Sequence, residues 1–258
     1  MHGKVALVTG SARGQGLAMA ELFTSKGASV IMCDVLEAEG VAASETLAAG
    51  GADVRFFRHD VSSADSWNTL VAAVMAATGR IDVLVNNAGI VKRKNIATYT
   101  EHDWQHVLNV NLTGAFLGIQ KVAPQMKATG GGAIVNIGSN AAFATHPDVA
   151  YAVSKWGMRG LTKAAAMELA ADGIRVNCVC PGVVLTDVNR GAPHLQGLID
   201  HTPLGRSSEP KEIAAVVSFL ACDDAAMITG EEIVVDGGFT AGGSVWRTSR
   251  DAGFYPSR

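Results

Sequence analysis

Short runs of apolar, β-branched residues alternate along the chain with longer Ala- and Leu-rich stretches of helical period. Seven runs read as strands: 4–9 (KVALVT), 28–34 (ASVIMCD), 53–57 (DVRFF), 81–86 (IDVLVN), 132–137 (GAIVNI), 174–179 and 232–235. Between them the spacing predicts helices over 15–26, 37–49, 63–78, 101–127, 149–171 and 209–221. Runs that are apolar on both faces belong to parallel strands covered on both sides. Strict strand–helix alternation then gives a doubly wound α/β fold, a mostly parallel seven-stranded sheet with helices on both faces and right-handed crossovers. No linker, low-complexity stretch or charge block divides the chain, so 1–258 reads as a single domain. Two segments fall outside the pattern. Residues 187–208 (DVNRGAPHLQGLIDHTPLGRSS) are rich in Gly, Pro and polar residues and have the character of a lid over a ligand. Residues 240–258 follow the last strand as a tail.

Composition narrows the class. A hydrophobic fraction of 48% and a net charge of −3 exclude disorder, and the chain lacks the basic footprint of a nucleic-acid binder. No run of about 18 apolar residues is present, so no membrane span is expected. The opening MHGKVALVTG lacks the charged-apolar-small layout of a secretory leader, which makes cytoplasm the expected compartment. Cys33, Cys178, Cys180 and Cys222 are too scattered for a disulfide framework or a four-ligand zinc site, and no metal is expected. Cys178 and Cys180, two apart on a strand, share a face and read as buried packing.

Directly after the first strand comes Thr9-Gly10-Ser11-Ala12-Arg13-Gly14-Gln15-Gly16-Leu17. Glycines in a tight turn that opens a helix leave room for backbone to meet a pyrophosphate, and the free N–H groups of the helix start face the anion. The second strand ends at Asp34, close to the ~20-residue interval at which a carboxylate accepts the adenosine ribose hydroxyls of a dinucleotide. That anion repels a 2′-phosphate, whereas Arg13 could pair with one. Val35 brings no second cation. The fixed carboxylate outweighs one mobile arginine, and the expected cofactor is NAD.

Tyr151 and Lys155 stand at i and i+4 on a predicted helix, so their side chains share a face. A free phenol has a pKa near ~10, and a neighbouring ammonium stabilises its phenolate. Such a tyrosine can take an alcohol proton while hydride leaves the same carbon. Ser139 ends the fifth strand, where a doubly wound sheet places ligands. Its hydroxyl can hydrogen-bond the reacting oxygen, a contact worth ~3–4 kcal/mol where charge develops.

The ordered set TGSARGQG (9–16), NNAG (86–89), Asn111, Ser139, Tyr151-x-x-x-Lys155 and Pro181-Gly182 resembles the short-chain dehydrogenase/reductase family, in its single-domain branch, over about residues 3–240. The resemblance implies a Rossmann fold and the catalytic set Asn111, Ser139, Tyr151 and Lys155. Asn111 would help relay protons from Lys155, and Lys155 would also bind the nicotinamide ribose. Asp60 and Val61 match the adenine contacts, and Asn87, Ala88 and Gly89 the segment along the adenosine ribose. Val184 and Thr186, after Pro181 and Gly182, match the carboxamide contacts, which fix the pro-S face for transfer. It also implies a homotetramer of 222 symmetry, built on the helices carrying Asn111 and Tyr151, with Phe116, Met158, Leu161 and Met167 as apolar outer positions.

Two departures stand out. Gln15 occupies a position that is usually apolar, and the Ser139-to-Tyr151 interval is one residue shorter than the family's commonest, which reshapes loop 140–150. On that loop, His146 reads as a surface histidine, with a polar substrate contact as the alternative. Lys92-Arg93-Lys94 reads as a solvated loop, with attraction of an anionic substrate as the alternative. The tail, with Trp246, Arg247, Arg250, Phe254, Tyr255 and Arg258, either frays or crosses a subunit boundary. The reading is an NAD(H)-dependent oxidoreductase that interconverts a secondary alcohol and a ketone, with a cyclic or hydroxysteroid-like substrate. The alternatives are a polyol or sugar dehydrogenase, an NADPH-using 3-oxoacyl-carrier reductase, and a non-catalytic dinucleotide sensor.

Overall fold

The computed structural model describes residues 1–186, 191 and 193–255. The first half lays down β1 (Val5–Thr9), α1 (Gly14–Ser25), β2 (Ser29–Asp34), α2 (Glu37–Ala49), β3 (Val54–Arg58), α3 (Ala64–Thr78) and β4 (Val83–Asn86). The second half adds α4 (Glu101–Leu108), α5 (Gly114–Ala128), β5 (Gly132–Ile137), α6 (Val149–Leu169), β6 (Ile174–Pro181), α7 (Leu195–Asp200), α8 (Pro210–Ala221), β7 (Glu232–Val235) and α9 (Gly243–Asp251). The seven strands form one sheet in the order β3-β2-β1-β4-β5-β6-β7, and every pairing is parallel. The order reverses between β1 and β4. Their carboxyl ends therefore border the crevice in which an open α/β sheet holds its ligand.

The strands are apolar throughout because each residue enters one of two cores. Leu7, Ile31, Leu84, Ile134 and Val176 pack on one face with Trp67 and Val122. Their chain neighbours, including Val8, Met32, Val85 and Val135, pack on the other with Phe23 and Val217. Trp67 and Phe23 are fully buried, and truncating either to Ala costs about 3–5 kcal/mol. Local signals set the helix limits. Ser63 accepts from the Ser66 N–H at the start of α3, and left-handed Gly79 ends it. Glu209, Pro210 and Glu212 start α8 with a reciprocal capping box.

The structure departs from the sequence reading in several places. The helix predicted over 101–127 is two helices joined by a π-helical turn, Asn109–Thr113. There Asn111 turns its amide onto the backbone of Ile90 rather than into the helix. The helix predicted to 171 ends at Leu169, continues as a 3-10 turn over Ala170–Asp172 and stops at left-handed Gly173. The 187–208 segment contains α7, while 187–190 and 192 lie outside the described residues. Met158, expected on an outer face, is 1% exposed and packs with Cys178 and Cys180. Leu161 is partly buried beside it, whereas Phe116 and Met167 are exposed.

Candidate active site

The turn after β1 folds against the segment after β4. Gly10 and Gly14 take left-handed φ values of 63° and 60°. A Cβ on Gly10 would lie 2.7 Å from the Ala88 Cα, and one on Gly16 would run into the Gly10 carbonyl. Side chains are thus excluded where the two segments meet. Asn87 Nδ2 donates to the carbonyls of Thr9 and Gly10, both at 2.9 Å. Thr9 Oγ1 accepts from the Asn87 and Ala88 N–H groups at 3.0 and 3.1 Å. No side chain caps the start of α1, so its first N–H groups remain available to an anion. Gln15 Oε1 is buried without a hydrogen-bond partner among the described residues. This glycine cradle, open helix start and orphaned amide oxygen fit a dinucleotide.

Asp34 is held by two backbone amides. Its Oδ2 accepts from Ala12 N–H and its Oδ1 from Leu36 N–H, each at 3.1 Å, so the carboxylate is oriented at the end of β2. Arg13 is exposed. At the end of β3, burial pushes the Asp60 carboxyl up, but hydrogen bonds from Ser62 N–H and Oγ outweigh it and hold Asp60 below the ordinary aspartate range. The Val61 carbonyl next to it accepts from Trp67 Nε1 at 2.9 Å. On the far side of the crevice, Val184 bridges to Ser208. Thr186 turns toward the phosphate turn, its Cγ2 3.7 Å from where a Gly14 Cβ would stand. Pro181 ends β6, and Gly182 is pressed against Asp236.

Tyr151 and Lys155 lie one turn apart on α6. Lys155 Nζ stands 5.6 Å from the centre of the Tyr151 ring and donates to the Ile137 carbonyl of β5 at 2.7 Å. Lys155 is 4% exposed. Across from it runs Gly89, where an added Cβ would lie 3.8 Å from Lys155 Nζ and 3.5 Å from Asn111 Oδ1. Asn111 accepts from Ile90 N–H at 2.8 Å and donates to the Ile90 carbonyl and to Ser154 Oγ. Ser139 follows β5, and its Oγ accepts from Ala141 N–H at 3.1 Å. Lys155 is therefore tied to β5, which Ser139 follows, and it faces Asn111 across Gly89. Cys178 and Cys180 are buried with sulfurs 3.6 Å apart, in space that a Gly138 side chain would fill.

Asp148 escaped the sequence reading. It caps α6, accepting from Tyr151 N–H at 2.9 Å, and is fully buried. It also accepts from Tyr99 Oη (2.7 Å), Lys92 N–H (2.7 Å) and Arg93 N–H (2.8 Å). Burial pushes its carboxyl up, but these bonds win and hold it below the ordinary range. The only signal in the sequence was an Asp three residues before Tyr151, which reads as a helix cap and nothing more. His146 is not a bystander on the surface: its ring lies 4.8 Å from that of Tyr151. Nor are Lys92 and Lys94 simply solvated, because both pair with Asp103, at 3.4 and 2.6 Å.

The tail forms α9, with Arg247 paired to Asp200 and Asp251 and Arg250 over the Trp246 ring. Phe254 and Tyr255 are exposed, and Arg258 lies outside the described residues. A cavity of about 720 Å³ beside Phe143, Leu204, Val234 and Asp236 includes none of the four catalytic candidates. No helix among the described residues is long and apolar enough to cross a membrane.

A parallel sheet with a glycine turn at its switch point, bordered by a paired tyrosine and lysine, defines a nucleotide-binding α/β oxidoreductase. The family model described as enoyl-(acyl carrier protein) reductase matches residues 10–240. The chain is 42% identical over 249 residues to trans-4-hydroxycyclohexanecarboxylate dehydrogenase of Sinomonas cyclohexanicum, covering 94% of this chain and 95% of that one. It is 43% identical over 241 residues to the 3-alpha-(or 20-beta)-hydroxysteroid dehydrogenase of Mycobacterium bovis, covering 93% and 90%. The crystal structure of gox2181 superposes with a TM-score of 0.91 at 36% identity, covering 93% of this chain and 97% of that one. Other relatives are dehydrogenases of D-threitol and of cyclopentanol. The chain belongs to the short-chain dehydrogenase/reductase family. It is an oxidoreductase of the alcohol dehydrogenase and ketoreductase kind, a class that works with a nicotinamide cofactor.

Proposed function

We propose that the chain acts as a single-domain, NAD(H)-dependent dehydrogenase of cyclic secondary alcohols, a class that includes hydroxysteroid-like substrates. The observation that carries this reading is the pairing of Tyr151 with Lys155 at 5.6 Å, with the lysine anchored on Ile137 beside Ser139. A bound nicotinamide would supply the acceptor for the hydride released from the carbinol carbon. Tyr151 Oη takes the hydroxyl proton as the carbonyl forms, and returns it in the reverse direction. Ser139 Oγ hydrogen-bonds the reacting oxygen and steadies its developing charge. Lys155 keeps a positive charge beside the phenolate and reaches the ribose. Asn111, across Gly89, continues the proton path and holds Ile90 in place.

Electrostatics favour NAD. A 2′-phosphate near 4 Å from the fixed Asp34 carboxylate would meet a repulsion of about 4 kcal/mol per unit charge pair at an effective dielectric of 20. The exposed Arg13 would return ~1 kcal/mol or less. Gly10, Gln15, Gly16 and Leu17 line the phosphate turn, Asp60 and Val61 the adenine side, and Asn87, Ala88 and Gly89 the inner edge. Pro181, Gly182, Val184 and Thr186 border the carboxamide. The names of the cyclohexane, cyclopentanol and hydroxysteroid relatives support a cyclic substrate. The D-threitol relative keeps a polyol as the second reading. Asp34 opposes an NADPH-using carrier reductase. Exposed Phe116, Val153, Trp156 and Met167 on α5 and α6 support assembly through those helices as a 222 tetramer.

The test is NADH formation from a panel of cyclic alcohols, steroids and polyols, run with NAD and NADP and repeated with Tyr151→Phe. Turnover is expected with NAD and with ring alcohols. The Phe variant is expected to lose at least ~100-fold in kcat while its NAD affinity holds. Full activity of that variant would refute the assignment of the proton donor, and a preference for NADP the role of Asp34.

A further inference from the structure

Asp148 and His146 hold Tyr151 at two points. Asp148 Oδ1 accepts from Tyr151 N–H at 2.9 Å, which fixes the backbone of the tyrosine in the first turn of α6. The Asp148 N–H in turn donates to His146 Nδ1 at 3.1 Å. The half-buried His146 ring lies 4.8 Å from the Tyr151 ring, tilted by 53°. That separation is within the range of a packed aromatic pair. Only Pro147 stands between His146 and Asp148. Its locked φ, and the restriction it places on the residue before it, leave this link little freedom.

A helix cap fixes the Cα of Tyr151 but not its side-chain torsions. The phenol oxygen sits at the far end of the side chain, so it sweeps the longest arc when χ1 or χ2 turns. Lys155 Nζ supplies charge from 5.6 Å away, yet a point charge does not set the tilt of a ring. The His146 ring does, by contact. An accepting Nδ1 also places the proton of the neutral imidazole on Nε2. Protonation would put a second N–H on Nδ1, opposed to the Asp148 N–H, so the tether exists only in the neutral form. Burial lowers the His146 pKa, the Asp148 carboxylate pulls it up, and His194 and Arg93 push it down again, with a net shift below the ordinary value. Tyr151 is the remaining titratable group against the ring.

We propose that His146 is a positioning residue for Tyr151: its neutral imidazole, anchored on the Asp148 N–H, is the wall that sets the angle of the phenol ring and so directs Tyr151 Oη to the reacting oxygen. This rests on the reading of Tyr151 as the proton donor, and it adds the group that holds the donor's side chain.

The experiment follows the reduction of cyclohexanone by NADH in the wild type, His146→Asn, His146→Phe and Tyr151→Phe. Asparagine can offer an oxygen to the Asp148 N–H but has no ring; phenylalanine keeps a ring but has no acceptor. His146→Asn is expected to lose about 10- to 100-fold in kcat, the scale of a 1 Å misplacement, with KM for NADH and thermal stability close to wild type. His146→Phe should recover most of that loss. The pH profile gives a second reading. In the reductive direction Tyr151 acts as an acid, so its own titration does not depress the rate at low pH. Wild-type kcat should fall only below pH 6.5, the ordinary histidine value, as His146 takes up a proton and releases the Asp148 N–H. Both variants should lack that limb. With Tyr151→Phe inactive, an unchanged kcat in His146→Asn, a loss in His146→Phe as large as in His146→Asn, or an acid limb that persists in the variants overturns the positioning role alone. An active Tyr151→Phe sinks the reading on which it rests. If the wild type leaves cyclohexanone unreduced, the ring-alcohol reading fails, and the contact is read without turnover by NMR of the His146 ring. An Nε2–H tautomer at pH 7, with ring-proton shifts that move in Tyr151→Leu, supports the proposal; an Nδ1–H tautomer or unmoved shifts overturn it.

Discussion

Replacing Asp148 by Asn separates two accounts of the same residue. As a helix cap, Asn serves as well as Asp, and the change should be close to neutral. The tertiary contacts say otherwise. Oδ1 accepts from Tyr151 N–H at 2.9 Å and Tyr99 Oη at 2.7 Å, and Oδ2 accepts from two backbone amides at 2.7 and 2.8 Å. A carboxamide must turn its NH₂ toward one pair. Facing Lys92 and Arg93 it opposes two N–H donors. Facing Tyr151 and Tyr99 it opposes one, because the phenol can rotate to accept. The better orientation still leaves one buried N–H unpaired, a cost of about 1–3 kcal/mol. Urea unfolding at pH 7 measures it. The pH dependence gives a second reading. A carboxyl held below its ordinary value of 3.8 contributes stability that is present above that pH and lost as pH falls through the native value. Asp148→Asn should therefore flatten the acid limb. A variant within about 0.5 kcal/mol of wild type, with an unchanged acid limb, would refute the hub and leave only the cap.

Two further predictions concern other parts of the molecule. His59 is 2% exposed, and burial lowers its pKa from 6.5 to about 4. The unfolded chain takes up the proton first as pH falls, so stability should drop by about 3 kcal/mol between pH 6.5 and 4. His59→Asn should remove that slope in denaturation measured at the two pH values, and a slope that persists would clear His59 of the effect. If the exposed apolar residues of α5 and α6 form a tetramer interface, sedimentation should give the tetramer mass, and Trp156→Glu should lower it. A wild-type protomer mass would end that reading.

Much of the fold was legible because parallel strands buried on both faces are written as unbroken apolar runs, and each of the seven reappears within a residue or two of its expected limits. The glycine turn was legible for a similar reason: Gly10 and Gly16 stand where no Cβ fits, so local sequence and tertiary contact demand the same residue. The pairing of Tyr151 with Lys155 followed from the period of the helix. The π turn at Asn111 did not: the Ile90 backbone that the Asn111 amide bonds lies 21 residues away along the chain.

The rim of the site was decided by tertiary structure alone. Read in sequence, Lys92, Arg93 and Lys94 are three equivalent solvated cations, and Asp148 is an ordinary cap. Folding brings Asp103 against two of the cations and bonds the backbone N–H of the third residue, Arg93, to the carboxylate that also holds Tyr151. Hydrophobic period is a property of neighbours along the chain, so the sequence by itself determined the sheet, most of the helices that cover it and the nucleotide turn. Which charges are neutralised and which stay free depends on distances between segments remote in the chain, and only the folded structure fixes those.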